Sequence, residues 1–253
     1  AQNEEGIELM YYLNDNYEMI KRHIIADAQG SWEMTFLIPP STMGEHKIDA
    51  EGAESKLHEV EDATFKVTPE INLDKSSGSV GESITMTGNR FAAYEKDIRI
   101  LFADQVVAIG IKADAQGYWG ESFEIPELPT GTYSVIVYRA WTAKEDIMAL
   151  SFEIKPDIVL SSHEGYVGMN LTVTSHGFAA NEDVVIMYED EDNEVATTRT
   201  NAQGSFEVSF VVPESQYNKH QVVARDAAGN NATAILTMES DAPDMPELIS
   251  PHN

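Results

Sequence analysis

Ala113-Asp114-Ala115-Gln116-Gly117-Tyr118-Trp119 is one of three copies of the same short stretch. The other two copies are Ala26-Asp27-Ala28-Gln29-Gly30-Ser31-Trp32 and Thr200-Asn201-Ala202-Gln203-Gly204-Ser205-Phe206. Their glycines are 87 residues apart in both intervals. A fixed long period is typical of tandem copies of one folded unit. The chain is therefore predicted to be an array of repeats, each built around this stretch.

The middle repeat has the strand pattern of an all-β sandwich. Short runs of β-branched and aromatic residues alternate with turn residues, and no run has helical periodicity. About seven strands at this spacing are typical of an immunoglobulin-like domain. We predict an all-β chain of tandem immunoglobulin-like β-sandwich domains. The predicted strands are 71–73, 84–87, 98–102, 106–109, 119–125, 133–138 and 147–154, with a turn at 76–79.

The period also predicts where the domains begin and end. We expect an incomplete first repeat at 1–68, complete repeats at 69–155 and 156–239, and a proline-rich linker or tail at 240–253. Pro69 and Pro156 stand at very short junctions, and proline stiffens such a joint because it fixes φ. An extended rod is therefore predicted. Pro39, Pro126 and Pro213 keep the same spacing and close the strand that follows each signature stretch.

The first repeat lacks its N-terminal strands. Residues 7–12 match 184–188, the predicted third strand of the third repeat. A sandwich without two strands exposes its core and leaves an unpaired edge. We expect either that the chain continues a longer array or that another chain supplies the strands, as in donor-strand complementation.

Several turn and strand motifs carry a family resemblance. They are 78–81 and 84–91 in the middle repeat, and 165–168 with Gly177-Phe178 in the third. This Gly-x-Val-Gly turn before an alternating strand that ends near a phenylalanine resembles bacterial and archaeal immunoglobulin-like repeats of the IPT/TIG type. Arg90, Ser175 and 218–220 depart from the family pattern. The resemblance implies an extracellular or cell-surface location and a spacer or adhesive role.

The composition of the chain limits the classes of partner that it can bind. The net charge is −27, and such an acidic surface repels phosphate backbones and anionic lipids, so nucleic-acid binding is not expected. The chain has no cysteine, which rules out disulfides and thiolate metal sites. No apolar run approaches the roughly 20 residues that span a bilayer, and no signal peptide is recognisable. Membrane insertion of this segment is not predicted.

An acidic loop in the third repeat is the candidate metal site. Asp190, Asp192 and Glu194 lie at a predicted hairpin tip, and clustered carboxylates suit Ca²⁺. The matching positions of the middle repeat are not acidic, and the loop has no EF-hand pattern. An exposed turn without a cofactor is the alternative reading.

Three tryptophans are candidates for contact with a ligand or partner. Trp32 and Trp119 share one repeat position with Phe206, where a core role competes with a sugar-binding platform. Trp141 lies near a loop that no other repeat copies as an aromatic. Asn170 and Asn231 fit the glycosylation sequon.

No catalytic residues are predicted. His46 and His220 share one strand position with Tyr133, and no histidine pair has helical zinc spacing. We therefore expect a non-enzymatic structural or adhesive segment of a surface-layer-like, stalk or filament protein, which contacts copies of itself or other surface proteins. A carbohydrate-binding accessory module of a secreted enzyme is the alternative. An enzyme with a catalytic metal in the acidic loop is a third reading.

Overall fold

The computed structural model describes residues 1–13, 15–138, 147–190 and 192–239 and confirms that the chain is all-β. These residues form twenty strands and one 3₁₀ turn at Leu57–Glu59, with no α-helix. The strands are β1 Ile7–Leu13, β2 Asn16–Ile24, β3 Gly44–Glu51, β4 Ala63–Val67, β5 Glu70–Leu73, β6 Ser77–Gly78, β7 Ser83–Asn89, β8 Ile98–Phe102, β9 Gln105–Ile111, β10 Trp119–Glu124, β11 Gly131–Tyr138, β12 Leu150–Ile154, β13 Asp157–Leu160, β14 Glu164–Gly165, β15 Asn170–His176, β16 Asp183–Tyr188, β17 Glu194–Arg199, β18 Phe206–Val211, β19 Lys219–Asp226 and β20 Asn231–Met238.

The third repeat is a two-sheet sandwich of the predicted immunoglobulin-like kind. One sheet has the order β13-β15-β18 and the other β14-β20-β19-β16-β17. Alternate residues of β15 are buried, as expected of a strand with one face on a core. The core draws residues from both sheets, among them Leu171 and Phe210 from the first and Val184, Val222 and Leu236 from the second.

The middle repeat has the same strand order, β10-β7-β5 and β6-β12-β11-β8-β9. The predicted turn at 76–79 is wrong in one respect, because Ser77 and Gly78 form β6 and pair in parallel with Glu153 and Ile154. A strand of only two residues has no alternating pattern of side chains, so it could not be predicted from the sequence.

The first repeat has one sheet, of order β2-β1-β3-β4, and the part of the chain that the structure describes supplies no second sheet to it. The strand expected before Pro39 is not formed, since residues 32–38 carry no strand assignment. In the third repeat the corresponding strand, β18, pairs with β15. The first repeat has no counterpart of β15, which explains why the strand is missing.

The signature stretch forms the same turn in all three repeats. The Asp114 carboxylate accepts the backbone N–H groups of Gln116 and Tyr118 at 2.8 and 2.9 Å. Gly117 sits at a φ of +76° and donates its N–H to the Asp114 carbonyl. Asp27 and Asn201 make the same side-chain contacts in their repeats. These bonds make Asp27, Asp114 and Asn201 turn-forming residues.

The chain divides into two compact units. One comprises Ala1–Lys75, Ser83–Phe123 and Ser134–Ser151, and the other comprises Ser76–Glu82, Glu124–Tyr133 and Phe152–Asn253. The domain boundaries read from the period stay a prediction. Among the described residues, no helix has the length and apolar character needed to cross a membrane.

Candidate functional site

One segment of the first repeat carries exposed apolar side chains. We call this segment, residues 32–38, the open face. Met34 and Phe36 are half-buried and pack against the core of Ile7 and Leu9. Glu33, Thr35 and Leu37 alternate with them and are exposed, Leu37 to 92%. Residues 33–38 therefore have the side-chain alternation of a strand, although no strand among the described residues pairs with them.

Equivalent aromatic residues show what the open face lacks. Trp32 is 36% exposed, whereas Trp119 is 2% and Phe206 is 7% exposed. In the middle repeat, Phe91 packs edge-on against Trp119 at a ring distance of 5.4 Å. The third repeat pairs Phe178 with Phe206 in a similar way. No described residue of the first repeat takes the place of these phenylalanines. Trp119 offers no exposed ring to a ligand, so of these two tryptophans only Trp32 remains available for contact.

The first residues of the chain lie at the end of this face, and Glu4 anchors them. Glu4 is 3% exposed, and its carboxylate accepts the backbone N–H groups of Glu54 and Ser55 and the Ser55 hydroxyl. The ammonium group of Ala1, then these bonds, lower the pKa of Glu4 to about 2. In the middle repeat Glu95 accepts the N–H of Ala92, which precedes it by three residues, as Ala1 precedes Glu4.

Acid is expected to loosen this anchor. The pKa of Glu4 is lowered from 4.5 to about 2 by folding, so its carboxylate stabilises the first repeat fully above pH 4.5 and loses this effect as the pH falls towards 2. The melting temperature of the first repeat, measured between these pH values through the NMR signal of the Trp32 indole, tests this pH dependence. Glu4→Gln should remove most of this pH dependence. An unchanged pH profile in Glu4→Gln contradicts the assignment.

A tyrosine, a serine and a histidine fasten the loop after Pro39 to the sheet of the first repeat. The Tyr11 hydroxyl lies 2.9 Å from the Ser41 hydroxyl, which donates to the Pro39 carbonyl. The two ring nitrogens of His46 lie 3.0 and 2.8 Å from the carbonyls of Tyr12 and Thr42. His46 also stacks on Tyr11, and burial raises the pKa of this tyrosine.

The third repeat has the same fastening. The Tyr188 hydroxyl lies 3.1 Å from that of Ser215, and His220 stacks on Tyr188. His220 contacts Glu189 and the Gln216 carbonyl. These contacts give His46 and His220 a structural role. The sequence analysis missed the serines, although Ser41 and Ser215 each precede the histidine by five residues.

A groove of about 610 Å³ lies beside the open face, within the first of the two units. Phe65 and Tyr118 line it and are 41% and 47% exposed. Asn89, Arg90 and Gln116 add polar groups to its wall. Exposed aromatic rings beside amide and guanidinium donors suit a polar ligand with apolar faces, such as a sugar.

A serine, a histidine and a carboxylate meet in the second unit, but their geometry is not that of a nucleophile. The Ser205 hydroxyl donates to Glu127 at 2.7 Å, and the Nδ1 atom of His176 lies 3.3 Å from the Ser205 oxygen. Because its one proton is directed at a carboxylate, the serine is not poised to pass that proton to the histidine. Thr130 donates its N–H to the Phe178 carbonyl. These contacts tether residues 127–130 to the third repeat.

The described residues of the acidic loop make short-range hydrogen bonds typical of a turn. The Asp190 carboxylate accepts the N–H of Asp192 at 3.1 Å, and Glu194 begins β17. Within the described ranges, no cluster of three or more histidine or acidic side chains is arranged to hold a metal ion. The calcium site at Asp190, Asp192 and Glu194 stays a prediction that the structure does not test.

The remaining candidates fall in different places. Trp141 and the tail at 240–253 lie outside the described residues. Asn170 and Asn231 are the first residues of β15 and β20, and both are exposed. Their glycosylation stays a prediction.

Comparison with known proteins gives no family. No family model and no curated protein matches the sequence. The chain is similar to the Yersinia pseudotuberculosis adhesin InvE, with 12% identity, coverage of 68% of this chain and 59% of the adhesin, and a TM-score of 0.34. A tetra-tandem repeat from the extending region of a large adhesion protein is 18% identical, with coverage of 93% and 67% and a TM-score of 0.34.

A third similar structure has a carbohydrate ligand. It is the Bacteroides ovatus mixed-linkage glucan utilization protein SGBP-B in complex with a mixed-linkage heptasaccharide, which is 10% identical, with coverage of 92% of this chain and 60% of that protein and a TM-score of 0.30. Bacterial adhesins and tandem-repeat adhesion proteins are thus among the structures similar to this chain. At these TM-scores the likeness carries no argument about function.

Proposed function

We propose that this chain is a non-enzymatic structural or adhesive segment of a cell-surface protein, and that it associates with neighbouring polypeptides through the open face. The observation that carries the proposal is the segment of residues 32–38, whose side chains alternate between exposed and half-buried from Glu33 to Ile38 and which pairs with no strand among the described residues. Copies of the same chain and other surface proteins are the proposed partners. A cofactor is not required, and the rod expected from the short proline junctions is part of the proposal.

The physical basis is β-strand addition. An unpaired edge offers N–H and C=O groups in a regular row, and an incoming strand satisfies them while its side chains cover apolar surface. The open face offers apolar surface for such cover, since Phe36 and Met34 are only half-buried and Trp32 is 36% exposed. The strong negative charge of the chain opposes unspecific association, so pairing depends on this local match.

Self-association is the expected result in solution. Sedimentation velocity at protein concentrations from about 1 to 100 μM, a range that covers weak strand pairing, should show a growing fraction of dimers or larger species. Thr35→Pro should reduce that fraction at least about fivefold, because proline removes an N–H and is poorly tolerated in a paired strand. Thr35 is exposed and lies in the middle of residues 32–38.

Glu61→Pro is the matched control, since Glu61 is exposed in a loop of the same repeat and lies outside the open face. It should associate as the unmodified chain does. A chain that stays monomeric throughout, or that associates equally well with Thr35→Pro, contradicts assembly of copies through the open face.

Carbohydrate binding in the groove is the second candidate function. Phe65 and Tyr118 give it exposed rings, and Asn89, Arg90 and Gln116 give it polar groups. This is the combination of aromatic platform and nearby polar side chains that favours an accessory module of a secreted enzyme. Binding to a defined oligosaccharide on a glycan array, lost on substitution of Tyr118, supports this function.

A further inference from the structure

The sheet of the first repeat has an outer face, the side that carries Tyr12. Tyr11 and Tyr12 are consecutive in β1 and point to opposite sides of the sheet. Tyr11 is fully buried, whereas Tyr12 is half-buried and pairs across strands with Tyr17. In both complete repeats, the described strands that precede β8 and β16 pair in the other sheet or at the edge beside β12 and β20. The corresponding face is therefore exposed in a complete repeat too, as the 53% exposure of Tyr138 shows.

Two tyrosine rings and an ion-pair cluster lie side by side on this outer face, within the first of the two units. The rings of Tyr12 and Tyr17 have centroids 5.7 Å apart and planes tilted by 46°. The ammonium group of Lys47 lies 5.0 Å from the centroid of the Tyr12 ring and bridges the carboxylates of Asp49 and Asp62 at 2.8 and 3.0 Å. Tyr17 is 54% exposed, and the Lys47 and Asp62 side chains are partly exposed. We call these five residues the tyrosine platform.

The other repeats show that the fold does not require the charges of the tyrosine platform. The positions of Lys47 and Asp49 hold uncharged residues in the complete repeats. At spacings of 87, these residues are Ser134, Ile136, Gln221 and Val223. The Asp49 side chain is fully buried, and a buried ion pair is often no more stabilising than apolar residues of similar size. Stability therefore does not explain why the first repeat has this ion pair, and a role in binding does.

The charges of the tyrosine platform are balanced within it, which limits the chemistry of a ligand. The hydrogen bond to Asp49, and then that to Asp62, raise the pKa of Lys47, so its ammonium group stays charged and paired. An anionic ligand gains little from a cation that already has two partners, and the net charge of −27 repels it. A cationic ligand has to compete with Lys47 for the Tyr12 ring. An uncharged ligand with hydroxyl groups and an apolar face meets neither obstacle.

We infer that the tyrosine platform binds a neutral carbohydrate, with a sugar ring stacked on Tyr17 and hydroxyl groups that accept from Lys47 and donate to Asp62. Tyr17 and Lys47 stand on the two strands that flank β1, so about 10 Å separates them and an extended oligosaccharide can contact both. Tyr12 lies between them and fixes their spacing. This site is separate from the groove lined by Tyr118, and it does not depend on association through the open face.

Affinity electrophoresis of the full chain, in gels that contain one soluble polysaccharide each, tests this site. Xylan, galactomannan, laminarin and hydroxyethylcellulose are the neutral probes, and polygalacturonate is the anionic probe. At least one neutral probe should retard the chain and shift the NMR signals of Tyr12 and Tyr17. Tyr17→Ala should weaken this binding about tenfold or more, the loss expected when a central aromatic residue is truncated. Tyr17→Phe keeps the ring and should retain most of the affinity.

Tyr138→Ala is the matched control, because Tyr138 is as exposed as Tyr17 but lies on the middle repeat, where the residues equivalent to Lys47 and Asp49 are uncharged. It should bind as the unmodified chain does. Tyr118→Ala separates the tyrosine platform from the groove. Retardation that Tyr118→Ala abolishes and Tyr17→Ala does not assigns the carbohydrate to the groove and overturns the inference. Retardation by polygalacturonate alone, or by none of the probes, overturns it as well.

Discussion

Gly117→Ala and Gly204→Ala are each expected to destabilise their repeat by about 3–5 kcal/mol, the sum of a left-handed backbone cost and a steric clash. The two glycines have φ values of +76° and +77°. An added Cβ would lie 2.1 Å from the Phe91 carbonyl oxygen in one repeat and 2.0 Å from that of Phe178 in the other. Backbone atoms cannot move aside as a flexible side chain does, so the loop that carries the buried phenylalanine has to shift.

Two other glycines separate the steric clash from the backbone cost. Gly81 and Gly168 have φ values of +79° and +83°, but nothing lies within 4 Å of a Cβ added at either. Their alanine variants should lose only about 1–2 kcal/mol, the cost of the left-handed conformation alone. Urea unfolding of the full chain, fitted with one transition per cooperative unit, gives the comparison. Equal losses at Gly117 and Gly81 would show that the contact with Phe91 contributes nothing.

Gly30 has a similar backbone conformation to these glycines but different surroundings. Its φ is +80°, yet the nearest atom to an added Cβ is the Ala1 carbonyl oxygen at 3.3 Å. Gly30→Ala should therefore resemble the variants at Gly81 and Gly168 more than those at Gly117 and Gly204. The signature stretch is the same in sequence, but its glycine meets a close backbone contact only where the buried phenylalanine is present.

The turn around Asp114 and most strands could be predicted from the sequence, because each depends on neighbouring residues. Asp114 and Gly117 are local turn formers, and the alternation in β7 and β15 is visible as a pattern of period two. The predictions that failed depend on a distant partner. Residues 32–38 have a strand sequence but no partner, and β6 is a strand only because β12 lies beside it.

In the candidate site, too, the features that depend on distant residues could not be predicted from the sequence. The strands that the first repeat contains could be matched to those of the other repeats, because its residues can be counted against the period. The contact of Ser41 with Tyr11 could not be predicted, because two hydroxyl groups 30 residues apart produce no periodic pattern in the sequence. The sequence also grouped Trp32 with Trp119, although one is 36% and the other 2% exposed. Exposure of equivalent residues depends on what covers them.

The pairing of Trp119 with Gly88 should appear as a strong energetic coupling between the two positions. Gly88→Ser places a Cβ atom 2.2 Å from the indole and should cost about 3 kcal/mol, as overpacked cores do. Trp119→Phe should cost only about 1–2 kcal/mol from lost contacts, and its indole N–H has no hydrogen-bond partner among the described residues that would be lost. The double variant recreates the pair of Ser175 and Phe206 and should be no less stable than Trp119→Phe alone. Urea unfolding of the four proteins should therefore give a coupling energy of about 3 kcal/mol.

Gly120→Ser is the control, because Gly120 lies in the same sheet and an added Cβ would meet only ordinary contacts at 3.5 and 3.8 Å. Its effect should be small and should add to that of Trp119→Phe. Additive losses for Gly88→Ser and Trp119→Phe would mean that the tryptophan does not exclude a side chain from this position of β7.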